Sequence, residues 1–133
     1  MANATVTQWT ARTLPSSQNW FSVAYGNGVF VALGYNSGVV ATSPDGITWT
    51  QQSLPSGYWS SVAYGNGVFV TVASASANLS ATSPDGITWT LRLMPSLQSW
   101  NSIAYGNGVF VSLGYNSSVA ATSPDGITWT AHS

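Results

Sequence analysis

The chain repeats itself every 40 residues, and that period constrains its fold more than any other feature. Ser43, Ser83 and Ser123 each open the string SPDGITWT. Leu14, Leu54 and Met94 each precede a Pro-Ser pair at the same interval. A second string, AYGNGVFV, stands at 24–31, 63–70 and 104–111. A unit of about 40 residues cannot bury a core alone, so its copies must stack.

Each unit reads as four short strands. In the first they are Trp20–Tyr25, Val29–Leu33, Val39–Thr42 and Ile47–Gln52, rich in the β-branched and aromatic residues that fill strands. Gly26-Asn27-Gly28 links the first two as a tight hairpin, because Asn and Gly accept positive φ. Pro44-Asp45-Gly46 turns the third into the fourth. Along the second strand, Val29, Val31 and Leu33 face one side and Phe30, Ala32 and Gly34 the other, with no charge on either. No helical periodicity is present. The expected fold is all-β: three four-stranded antiparallel β-propeller blades, at 14–53, 54–93 and 94–133, in one repeat domain. Residues 1–13 carry a fourth copy of the outer strand, since Gln8–Pro15 aligns with Thr48–Pro55. An unpaired outer strand should seek an edge, and residues 4–13 are expected to pair at a subunit boundary or extend an assembly. The seven Trp follow the repeat: Trp20, Trp59 and Trp100 open first strands, and Trp9, Trp49, Trp89 and Trp129 sit on fourth strands. Most are expected to wedge between blades.

Ser43-Pro44-Asp45-Gly46-Ile47-Thr48-Trp49 and its two copies resemble the Asp-box of sialidase-like (BNR) β-propellers of bacterial or phage type, with Gly one place nearer the Asp than usual. The resemblance runs through all three units. It implies a propeller and assigns the box to a structural turn between third and fourth strands, away from the binding face.

Charge is scarce: 4% of residues, net −1. Phosphate binding needs several Lys or Arg, so neither nucleic acid nor a membrane surface is an expected partner. The chain has no Cys, hence no disulfide or thiolate site, and no run long enough to span a bilayer. The opening MANATVTQWT has no apolar segment of the kind a secretion signal carries. The only acids, Asp45, Asp85 and Asp125, share one repeat position, and Arg12, Gln52, Arg92 and His132 share another. The acids therefore read as turn formers. With no paired carboxylates, no Arg cluster and His132 next to the last residue, where fraying is expected, the chain reads as a non-enzyme with no metal and no cofactor.

The turns on one face of the blades hardly vary, whereas the loops on the other do. Unit 2 has one residue fewer before its first strand and one more between its second and third. These loops offer Tyr, Trp, Asn, Gln and Ser without charge, which suits a neutral glycan. The candidate ligand residues are Tyr35, Asn36, Tyr115 and Asn116, with Trp20 and Trp100 at the edge; unit 2 lacks the Tyr-Asn pair, so two sites per chain are expected.

Three blades are too few for a ring of 4–8, so the chain is expected to partner itself, as a homodimer of six blades in preference to a trimer of nine. The functional expectation is a lectin-like module. The alternatives are a structural component of a phage virion or extracellular assembly, and an engineered repeat propeller with no natural ligand. An extracellular or virion surface is the favoured location.

Overall fold

The computed structural model describes residues 8–75 and 77–133. It contains twelve strands, and no helix forms among the described residues. Strands β1 (Trp20–Gly26), β2 (Val29–Gly34), β3 (Val39–Ser43) and β4 (Thr50–Ser53) form one antiparallel meander in that order. Strands β5 (Trp59–Gly65), β6 (Val68–Ala73), β7 (Ala77–Ser83) and β8 (Thr90–Gln98) form the second. Strands β9 (Trp100–Gly106), β10 (Val109–Gly114), β11 (Ala120–Ser123) and β12 (Thr130–His132) form the third. Each is a propeller blade, and β5 packs against both β1 and β9, so the first strands line the axis.

The hairpins between first and second strands close on Asn27-Gly28, Asn66-Gly67 and Asn107-Gly108. Asn takes φ of 49–51° and Gly 79–80°. Both residues of the turn need positive φ, which is why the pair recurs unchanged. A bulge follows the opening Trp of each blade: Trp20 pairs with Gly34 and Ser22 with Leu33, which leaves Phe21 as the extra residue. Ser60 and Asn101 hold the same place.

Fourth strands begin later than the residue types suggest. Ile47, Thr48 and Trp49 belong to the turn, and β4 starts at Thr50. The cause is the Asp side chain, which captures the two N–H groups a strand would need. Trp49, Trp89 and Trp129 therefore lie just before their strands, half-buried. Of the other Trp, only Trp59 and Trp100 are fully enclosed between blades. Trp20 is half-buried on the open side of the first blade, and Trp9 is fully exposed.

The core lies between blades. Val31, Leu33 and Val40 of the first meet Leu54, Trp59, Val62 and Phe69 of the second. Val70, Val72 and Met94 of the second meet Trp100, Ile103 and Phe110 of the third. Each enclosed indole also places its N–H: Trp59 Nε1 donates to Pro55 O at 2.7 Å and Trp100 Nε1 to Ser96 O at 3.3 Å. Burying an indole removes roughly 150–250 Å² from water, so these two residues anchor the two junctions.

Residues 8–13 form no strand. That part of the expected extra outer strand does not pair in the single chain; its first residues, 1–7, lie outside the described residues. His132 is not frayed: it closes β12, with Nε2 2.8 Å from Thr122 Oγ1.

Candidate functional site

Two faces can be told apart by their hydrogen bonds. On one, Asn66 Nδ2 of a hairpin turn donates to Pro124 O of an Asp turn in the next blade, at 3.4 Å. On the other, the loops between second and third strands meet the loops that enter the blades. Tyr35 N donates to Asn19 O at 2.8 Å, Ser74 N to Tyr58 O at 2.9 Å and Tyr115 N to Ser99 O at 2.7 Å.

The Asp turns have one chemistry, repeated three times. Ser43 Oγ accepts from Gly46 N at 2.7 Å and donates to Asp45 Oδ1 at 3.1 Å. The same Oδ1 accepts from Ile47 N at 2.9 Å and Thr48 N at 3.0 Å. Trp49 Nε1 closes the turn on Gly46 O at 3.1 Å. Asp85 and Asp125 are bonded in the same way. The N–H groups of Thr48, Thr88 and Thr128, then those of Ile47, Ile87 and Ile127, hold each carboxyl below the ordinary aspartate range. A carboxylate committed in this way is a poor general base, and no metal-binding cluster of acids or His occurs among the described residues.

The second repeat site of polar residues also has one role. Gln52 Nε2 donates to Thr42 Oγ1 at 3.2 Å, Arg92 Nε to Thr82 Oγ1 at 3.0 Å, and His132 bonds Thr122 in the same place. These side chains tie an outer strand to its neighbour. The shared spacing in the sequence was the signal for it.

On the variable loop face, Ser17, Gln18, Asn19, Tyr35, Asn36 and Ser37 line an open polar depression of about 360 Å³. Asn36 holds φ of 55°, which keeps the loop tightly folded and its side chain exposed. Tyr35 stacks on Phe21 with centroids 4.7 Å apart and planes 18° apart, and Tyr58 leans on it at 5.8 Å. Phe21 reaches Tyr35 because it is the bulged residue of β1, a displacement that alternation along the strand does not reveal.

The candidate ligand residues are thus only partly brought together. Tyr35 and Asn36 share the depression. Tyr115 and Asn116 occupy the equivalent loop of the third blade, with Tyr115 67% exposed and Asn101 where the first blade has Phe21. Trp100 has no exposed surface and cannot stack on a ligand. Trp20 lines a different, apolar groove with Leu14, Val23, Ala32 and Trp49 at the open side of the first blade.

No family model and no curated protein matches the chain. Its fold does have solved counterparts. It superposes on the virginiamycin B lyase from Staphylococcus aureus with a TM-score of 0.79 at 15% identity, over 91% of this chain and 43% of the lyase. It superposes on YCF48 from Cyanidioschyzon merolae with a TM-score of 0.72 at 20% identity, over 90% and 38%. For the glutaminyl cyclase from Myxococcus xanthus the TM-score is 0.61 at 18% identity, over 80% and 49%. The chain is a set of β-propeller blades, and it spans less than half the length of these propellers.

Proposed function

We propose that this chain is a non-catalytic β-propeller module, of the Asp-box type, that binds neutral glycans on its variable loop face. The observation that carries the reading is the depression at Tyr35 and Asn36, in which amides and hydroxyls surround a tyrosine braced by Phe21. Sugars offer C–H faces that pack on aromatic rings and hydroxyls that bond amides, and they bring no charge for a site that has none. The acids support the non-catalytic reading, because each is spent on its own turn. The Ser-Asp-Trp network in those turns is what an Asp-box would need.

Titration calorimetry with neutral oligosaccharides chosen from a glycan array tests this. Binding is expected at two sites per chain, and Tyr35→Ala and Tyr115→Ala should each remove one while the melting temperature stays within a few degrees. Absence of glycan binding, or binding that survives both substitutions together, overturns the reading.

A second reading is favoured by a separate observation. Val23, Val111 and Leu113 are exposed at the two ends of the blade stack. Apolar ends of this kind suit a structural component of a virion or extracellular assembly.

A further inference from the structure

The two end faces of the stack are the two halves of a junction the chain already makes twice. Val31 and Val70 are fully buried against the following blade, while Val111, at the same repeat position, is 36% exposed. Leu33 and Val72 are likewise buried, and Leu113 is 53% exposed. At the opposite end, Val62 and Ile103 are buried against the preceding blade, and Val23 is 59% exposed.

The glycines carry the same message more sharply. A Cβ on Gly26 would run into the ring of Tyr64, and one on Gly65 into the ring of Tyr105. Gly106, the third copy, has nothing within 4 Å of that position among the described residues. In the other direction, Gly86 and Gly126 sit against Val31 and Val70 of the preceding blade, whereas among the described residues Gly46 meets only Phe30 of its own blade, at 3.9 Å. Polar partners repeat too: Val62 N donates to Ser22 Oγ at 3.1 Å and Ile103 N to Ser61 Oγ at 3.2 Å. The residues that would continue this series are Val23 at one end and Ser102 at the other.

We infer that a second copy of this chain docks head to tail, its first blade on this chain's third. Tyr25 of the second copy covers Gly106, its Gly46 receives Val111, and its Val23 N–H donates to Ser102 Oγ. The apolar groove beside Trp20 and Leu14, about 500 Å³ in volume, is the place Leu113 fills. The occupant is a second copy because both halves of the junction, including the glycine shaped for a tyrosine, are present on one chain. A heterologous contact of this kind closes or propagates according to the rotation it imposes. Two copies give six blades, inside the usual range of 4–8. β12 already holds the outer position of the third blade, so the junction uses the blade faces and needs no strand from residues 8–13, of which Arg12 lines the rim of the groove. None of this depends on the glycan reading.

Sedimentation equilibrium on the 133-residue chain tests the docking. A dimer is expected at micromolar concentration. Gly106→Val should raise its dissociation constant at least a hundredfold, because the added side chain would occupy the place of the Tyr25 ring; the single chain has room for it. Leu113→Lys, on an exposed position, should do the same and serves if the valine disturbs β9. Circular dichroism should show both variants folded. A wild-type chain that stays monomeric overturns the inference, as does a dimer that both substitutions leave unchanged. The test reads mass, so its failure is distinct from a failure to bind glycan.

Discussion

The ring of Tyr64 fills the space that a side chain on Gly26 would take, and Tyr105 does the same to Gly65. The blades approach so closely there that only hydrogen fits. Gly26→Ala and Gly65→Ala should each cost about 1–3 kcal/mol or more, since the ring must move within a packed junction. Urea unfolding of each variant checks this. A change under about 0.5 kcal/mol would mean that the junction yields more easily than close packing permits.

The three Asp turns should make the chain acid-sensitive. Their carboxyls titrate below the ordinary value of 3.8 because backbone N–H groups, those of Thr48, Thr88 and Thr128 first, bond the charged form. With folded values below unfolded ones, the stabilisation is complete above the unfolded pKa and is lost as pH falls through the folded values. The urea midpoint should therefore hold steady down to about pH 4.5 and fall below it. The chain has no other acidic side chain to blur the result. Replacing Asp45, Asp85 and Asp125 with Ala, one at a time, should lower the melting temperature at neutral pH, flatten the acid limb and leave any ligand binding on the opposite face intact. Loss of binding at an unchanged melting temperature would assign these residues to a site instead.

Much of this architecture is legible in the sequence because the repeat states each rule three times. The Asn-Gly turns announce their backbone, and the strands follow from their residue types. The start of the fourth strand is not legible in the same way. Ile47, Thr48 and Trp49 are good strand residues, and a side chain two or three places earlier claims their backbone. At the candidate site, Tyr35 and Asn36 could be picked out by chemistry, but the support from Phe21 depends on a bulge. Trp100 could not be separated from a surface Trp, because residue type gives polarity and not the depth at which the next blade lands. His132 stands near the end of the sequence, where fraying is expected, yet it holds the bonding role of Gln52 and Arg92, as its place in the repeat implies.

One residue breaks a local rule. Ala75 takes φ of 64°, where Asn36 and Asn116 hold 55° and 52° at the matching point of the other loops. The left-handed region costs an L-residue with a Cβ roughly 1–2 kcal/mol, and Asn or Gly much less. Ala75→Asn and Ala75→Gly should therefore stabilise the chain, by about 0.5–1 kcal/mol. If both variants unfold at the wild-type urea concentration, the loop relaxes without cost and the strain is not stored.

Ser80 carries the last expectation. Its side chain is fully buried, and its Oγ has no hydrogen-bond partner among the described residues. The equivalent positions hold Val40, fully buried in the first junction, and Ala120 in the third blade. A buried hydroxyl without a partner loses its hydration and gains nothing in exchange, at a cost of about 1–3 kcal/mol. Ser80→Ala removes the hydroxyl and leaves a space too small to matter, so stability should rise by roughly 0.5–1.5 kcal/mol. Ser80→Val adds bulk as well and reports on room: a gain beyond that of alanine would mean that the second blade has space for the first blade's valine. A loss of stability in Ser80→Ala would require that the hydroxyl is satisfied after all, by a buried water, and thermal unfolding of the two variants side by side decides it.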